Sequence, residues 1–103
     1  KVDIKNQNKE SPAYKKYFMH GTSHHLGLDT HDYGLLDDPF EANMVFTVEP
    51  GLYFNMQNTS TPQKYAGIGI RIEDDIVVTA SGHKNLSKAI PKTVSEIEKA
   101  MSR

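Results

Sequence analysis

Apolar and polar residues alternate most regularly over "YAGIGIRIEDDIVVT", residues 65–79. A period of two puts successive side chains on opposite faces of a strand. The pattern predicts one strand with Ile68, Ile70 and Ile72 on one face and Gly67, Gly69, Arg71 and Glu73 on the other. "MVFTVEPGLYF", residues 44–54, is β-branched and aromatic and predicts a second strand, ended by Pro50-Gly51. Glu49 closes that strand on the face of Thr47. Ser11 and Pro12 suit the start of a short helix over about residues 12–19. Thr93 followed by Glu96 is a capping-box pattern. Val94, Ile97 and Met101 continue it at helical spacing, so a helix is expected to close the chain. Between these elements, residues 31–43 read as a surface connection turning at Asp38-Pro39, residues 55–64 as a polar loop, and "ASGHKN", residues 80–85, as a turn. Asp74 and Asp75 read as turn residues.

Composition narrows the class. A chain of 103 residues with 37% hydrophobic and 24% charged positions suits one small globular domain able to bury a modest core. A net charge of −1 gives no electrostatic reason to bind nucleic acid or an anionic membrane. No apolar run approaches the roughly 18 residues of a membrane span. The absence of cysteine excludes disulfides and thiolate metal sites and leaves the redox compartment open. "KVDIKNQNKES" lacks the apolar core of a signal peptide and starts without methionine, which reads as a trimmed start or a piece of a longer chain.

The candidate chemistry lies in "HGTSHHLGLDTHD", residues 20–32, which holds His20, His24, His25 and His31. Histidine is both a proton carrier near neutral pH and the commonest metal ligand. The two strands each add a carboxylate, Glu49 and Glu73. Glu73 shares its expected face with Arg71 and two glycines, which leave room for close approach to the backbone. A histidine loop with two strand-borne glutamates suggests a metal site, and oxygen-rich ligation with one imidazole suits manganese, iron, cobalt or zinc. Solvated acids and surface histidines are the plain alternative, and the residues alone do not decide.

"HGTSHHLGLDTHDYG", "TVEPGLYF" and "KYAGIGIRIEDDIVVT", in that order, resemble the C-terminal part of the aminopeptidase P (Xaa-Pro aminopeptidase) family. That family belongs to the pita-bread metallopeptidases, with prolidase, methionine aminopeptidase and creatinase. The resemblance implies an α+β fold, the C-terminal half of a pita-bread domain, with a curved antiparallel sheet and helices on one side. It implies two divalent metal ions, manganese in this branch. The family's histidine ligand falls on His24 and its glutamate ligands on Glu49 and on Glu73, which bridges the metals. His20 and His31 fall beside the substrate, and Tyr53 and Arg71 fall on the proline-side pocket. His25 receives no role. Glu49 is the implied proton acceptor, His31 the implied donor to the developing oxyanion, and His20 stands with them among the catalytic residues. The family's two aspartate ligands lie upstream and have no counterpart here, since Asp29 and Asp32 fall inside the histidine motif.

The resemblance therefore implies that residues 1–103 are part of a catalytic domain whose first half, and a preceding N-terminal domain, lie outside them. The implied activity removes the N-terminal residue from peptides with proline in second position, in a cytoplasmic homo-oligomer. The 103 residues alone are expected to be inactive. Prolidase, restricted to dipeptides, is the nearest alternative. A non-enzymatic pita-bread protein that binds partners is the alternative from another class.

Overall fold

The computed structural model describes residues 8–34, 37–57 and 62–102. They form two compact units. One takes the described residues up to Thr22 together with those of Pro50–Arg71; the other takes Ser23–Glu49 and those from Ile72 onward. All the strand pairing is antiparallel, and the class is α+β.

In the second unit, β1 (Val45–Val48), β4 (Asp74–Thr79) and β5 (Gly82–Asn85) form a three-stranded sheet in the order β1-β4-β5. The strand β4 is central, pairing Val45 with Val77 through Val48 with Asp74 on one side, and Ile76 with Asn85 through Thr79 with Gly82 on the other. Its β-branched run suits a position flanked on both sides. The loop segment at His25 adds to the free side of β1: His25 bridges to Phe46, Leu26 N–H donates to Val45 O at 2.9 Å, and Thr47 N–H donates to His24 O at 2.9 Å. The helix α1 (Val94–Met101) starts at Thr93 with the expected capping box. Thr93 N–H donates to Glu96 Oε2 at 3.0 Å, and Glu96 N–H donates to Thr93 Oγ1 at 3.3 Å.

In the first unit, β2 (Gly51–Tyr53) pairs with β3 (Gly69–Arg71), Tyr53 standing opposite Gly69. The Tyr53 ring explains both glycines. A Cβ on Gly69 would lie 2.9 Å from Tyr53 Cδ1, and one on Gly51 would lie 2.7 Å from Tyr53 Cε2. The open face expected along this strand is filled by the chain's own tyrosine ring.

Several local expectations are corrected. The alternating stretch over residues 65–79 is two strands in two sheets, Gly69–Arg71 and Asp74–Thr79, interrupted at Ile72 and Glu73, with residues 65–68 outside both. The expectation that Arg71 and Glu73 share a strand face therefore loses its basis. Asp74 and Asp75 are the first residues of β4 rather than turn residues, because β1 supplies the ladder that local propensity could not reveal. The expected turn over residues 80–85 narrows to Ala80-Ser81, and Gly82–Asn85 is strand β5. Pro50 does interrupt β1, having no N–H to donate, but the chain resumes as a strand at Gly51. The N-terminal helix is a 3-10 turn of four residues, Ala13–Lys16. The described part of the polar loop includes a 3-10 turn, Gln63–Tyr65, and residues 58–61 lie outside the description. The connection over residues 31–43 is described except at positions 35 and 36.

The expected core is scarcely present. Among the described residues Ile76 is the buried hydrophobic, whereas Ile68, Ile70 and Ile72 are exposed at 44%, 60% and 43%. The apolar residues of α1, Val94, Ile97 and Met101, are exposed as well. The other buried positions among the described residues are polar: Thr47 at 0%, with Glu49 and Ser87. Burial among the described residues is therefore concentrated around β1 and its partner β4.

Candidate metal centre

The β1–β4 ladder ends with Val48 opposite Asp74, and Glu49 and Glu73 are the residues one step beyond it. A continued ladder would oppose the two directly, with side chains on the same face and Cβ atoms about 4.5–5.5 Å apart. Two carboxylates thus flank the end of the ladder, with donor atoms close enough to share a cation. The loop segment on the other side of β1 delivers the third group. His24 is fixed to Thr47 by a reciprocal pair: its N–H donates to Thr47 Oγ1 at 3.1 Å, and its carbonyl accepts from Thr47 N–H. Its ring then reaches Glu49, with Nε2 3.0 Å from Oε1. One donor atom from each of His24, Glu49 and Glu73 lies within 4.8 Å of the others.

The chemistry of this set fits a divalent cation. Ligands at roughly 2.0–2.3 Å from a metal lie up to about 4.5 Å from one another, so the observed spread needs little contraction. The His24 ring is oriented for ligation. Nδ1 lies 3.0 Å from the His25 carbonyl, which can only accept, so Nδ1 carries the proton. In the neutral ring Nε2 then presents a lone pair toward Glu49. A lone pair and a carboxylate oxygen at that distance repel unless a proton or a cation lies between them. Fixing the ligand tautomer through the other ring nitrogen is a common support for metal binding.

The other expected residues fall into two groups. His31 packs on His24, ring centroids 4.5 Å apart and nearly perpendicular at 75°, and its own ring is exposed. In the first unit, His20 Nε2 lies 2.7 Å from the Tyr53 hydroxyl, and Nδ1 lies 2.7 Å from Gly21 O. The carbonyl again assigns the proton to Nδ1, so Tyr53 donates to Nε2. Phe18 closes on the other side of the His20 ring, centroids 4.8 Å apart. Arg71 ends β3 and is exposed. His25 acts through its backbone, its carbonyl accepting from Asp32 N–H as well as from His24. Asp32 accepts from Tyr33 N–H at 2.7 Å, and that bond chiefly holds its carboxyl below the usual range. It is thus bound up with its own loop and, like Asp29, stands outside the three-residue group.

Residues 3–80 match the model of metallopeptidase family M24, and the chain belongs to that family. It is 50% identical over 93 residues to the Xaa-Pro aminopeptidase of Escherichia coli, covering 86% of this chain and 21% of that protein. It is 46% identical over 94 residues to Xaa-Pro aminopeptidase 1 of Streptomyces coelicolor, covering 85% and 19%. Among solved structures, E. coli aminopeptidase P with the inhibitor Pro-Leu matches with a TM-score of 0.80 at 49% identity, over 86% of this chain and 21% of that one. Pseudomonas aeruginosa aminopeptidase PepP matches with a TM-score of 0.82 at 47% identity. The fold is accordingly a portion of the pita-bread fold. The chain spans about a fifth of the length of these relatives.

Proposed function

We propose that these residues form the C-terminal part of the catalytic domain of an Xaa-Pro aminopeptidase, and that His24, Glu49 and Glu73 are metal ligands in it. The observation that carries the reading is the convergence of those three groups within 4.8 Å, in an M24 chain similar to proteins of that name. The two aspartates that complete the family's ligand set would come from outside the 103 residues. The ions would be divalent, manganese by resemblance. One matching structure is a zinc-substituted E. coli aminopeptidase P, so that protein accepts zinc.

A divalent metal bound by these residues supplies Lewis acidity and lowers the pKa of a water it binds. The chain's own residues would do the rest. Nε2 of His24 and the carboxylates of Glu49 and Glu73 would hold the metal, with His24 kept in register by Thr47 and the His25 carbonyl. Glu49 would also take up the proton released by the attacking water. His31, exposed on the edge of His24, would offer a ring N–H to the developing oxyanion, a stabilisation of about 3–4 kcal/mol in comparable sites. His20, held by Tyr53 and Gly21, would face the peptide, and Tyr53 and Arg71 would receive its proline side. His20 would assist the reaction only after releasing its bond from Tyr53. A homo-oligomeric state and a cytoplasmic location accompany this reading and rest on the resemblance alone. No helix of the described residues is long and apolar enough to cross a membrane.

The test is release of the N-terminal residue from an Xaa-Pro-Xaa tripeptide by the whole polypeptide that carries these residues, with Mn2+ present. Cleavage abolished by Glu49→Gln supports the reading. Cleavage of Xaa-Pro dipeptides alone would point to prolidase activity instead. Metal binding with no cleavage of either would favour the partner-binding alternative.

A further inference from the structure

We infer that Thr47 is a positioning residue of the metal centre, using its single hydroxyl to join the backbone of one ligand to the carboxylate of another. The inference rests on the proposed ligand set and goes beyond it by naming what holds two ligands in register.

Thr47 is the fully buried residue of the described chain, at 0% exposure. A buried hydroxyl has one proton to give and two lone pairs to accept with. Here His24 N–H donates to Thr47 Oγ1 at 3.1 Å, which uses a lone pair. The proton therefore points elsewhere, and Oγ1 donates it to Glu49 Oε1 at 3.2 Å. That same oxygen lies 3.0 Å from His24 Nε2. One side chain thus touches both ends of the His24–Glu49 pair. It ties the histidine loop to the edge of β1, and it donates to the same carboxylate oxygen that faces the ring.

The choice of residue follows from three demands. Residue 47 shares a strand face with Glu49, two positions on, so its side chain is the one that can reach the carboxylate from within the strand. Strand β1 needs a β-branched residue there, and threonine is stiff about χ1, so the hydroxyl does not wander. Valine has the same shape and none of the hydrogen bonds. With valine, a half-buried backbone N–H and a buried carboxylate each lose a partner, while the sheet keeps its packing.

The experiment titrates Co2+ into the full 103-residue chain and follows its visible absorption. Wild type is compared with Thr47→Val, Thr47→Ser, Glu49→Gln and Glu73→Gln, and circular dichroism checks the fold of each. We expect Thr47→Val to weaken Co2+ binding about 10–100-fold, the usual range for residues that orient metal ligands, and Thr47→Ser to stay within about threefold of wild type. A folded Thr47→Val that binds as tightly as wild type would overturn the inference. So would a serine variant as weak as the valine one, since methyl packing would then be the cause. Should the valine variant not fold, Thr47→Ala carries the same comparison, with the same weakening expected. Binding that is lost in Glu49→Gln but unchanged at position 47 removes this inference and leaves the ligand set standing. Binding indifferent to Glu49→Gln and Glu73→Gln removes both.

Discussion

Glu49 and Glu73 stand one step past the last hydrogen-bonded pair of β1 and β4, where a continued ladder would make them direct cross-strand neighbours. Like charges in that arrangement repel, by an amount comparable to other cross-strand pairs. A sheet that ends in two neighbouring carboxylates beside an imidazole is a poor structural choice, and the three groups could hold a cation. This conflict between stability and placement lies where function is expected.

The repulsion leads to a sign reversal that can be measured. Without metal, Glu73→Gln should stabilise the chain by about 0.2–1 kcal/mol, because it removes one of two opposed charges. With metal the order should invert. Wild type should gain stability as free Mn2+ rises, by about 2.7 kcal/mol at one hundred times the dissociation constant, and Glu73→Gln should gain far less. Thermal melts with and without Mn2+ check this, and a variant with the same metal-dependent gain as wild type would count against the site.

Strand β4 begins directly after Glu73, and its first residue is latched to the C-terminal region. Lys92 Nζ lies 2.9 Å from Asp74 Oδ1 and donates to Ser87 O at 2.7 Å, while Asp75 N–H donates to Ser87 Oγ at 2.9 Å. Hydrogen bonding to Lys92, and then to Asn85, holds the Asp74 carboxyl below its ordinary value. A carboxyl whose pKa is lower in the folded state stabilises that state at pH values above its unfolded pKa, near 3.9. The contribution is lost as pH falls through the lower folded value. Acid titration of stability should therefore show a decline beginning near pH 4–5, and Lys92→Met should flatten it. An unchanged profile in Lys92→Met would show that the latch does not bear on β4.

The capping box of α1 offers a local test. The chain's last helix has eight residues and buries none of them, so its end contacts matter more than its packing. Thr93→Ala should cost about 1 kcal/mol of helix stability and reduce the far-ultraviolet helical signal. Thr93→Ser should retain most of both, since it keeps the accepting oxygen.

Gly69 tests the pairing of Tyr53 with His20. A Cβ there would come 2.9 Å from the Tyr53 ring. Gly69→Val should push that ring aside, cost about 1–3 kcal/mol through overpacking, and break the bond from the Tyr53 hydroxyl to His20. The His20 ring nitrogen resonances in NMR should shift as they do in Tyr53→Phe. Agreement between the two variants is the expected outcome, and an unperturbed His20 in Gly69→Val would contradict it.

How much of this was legible in sequence differs by element. The capping box of Thr93 and Glu96 is local and was readable in full. The β-branched run of β1 was equally plain, as was the carboxylate at its end. Alternation over residues 65–79 marked the strands Gly69–Arg71 and Asp74–Thr79, but it extended too far at residues 65–68 and could not show the break at Ile72 and Glu73. The pattern stays in phase there, and only pairing with two different strands separates β3 from β4. Asp74 and Asp75 look like turn residues because aspartate has low strand propensity, which the β1 ladder overrides. The approach of His24 to Glu49 spans 25 positions and left no periodic trace; the resemblance, not spacing, pointed to it. Thr47 was visible on the face of Glu49, but its role depends on the His24 backbone, which only the fold brings near.

The last expectation concerns activity of the 103 residues by themselves. The resemblance implies five ligand side chains for two metals, and three of them are His24, Glu49 and Glu73. Two carboxylates and one imidazole can hold one dication. They leave little negative charge to offset a second, whose removal from water is costly unless paired. Two-metal chemistry needs both ions a few ångströms apart, so the chain should bind about one equivalent of Mn2+ weakly and release no N-terminal residue from an Xaa-Pro-Xaa peptide. Supplying a polypeptide with the two upstream aspartates should tighten metal binding and restore cleavage. The measurement is amino-acid release by the purified chain with Mn2+, alone and with that complement. Cleavage by the chain alone, at a rate near that of the complemented form, would mean that other groups within these residues complete the site.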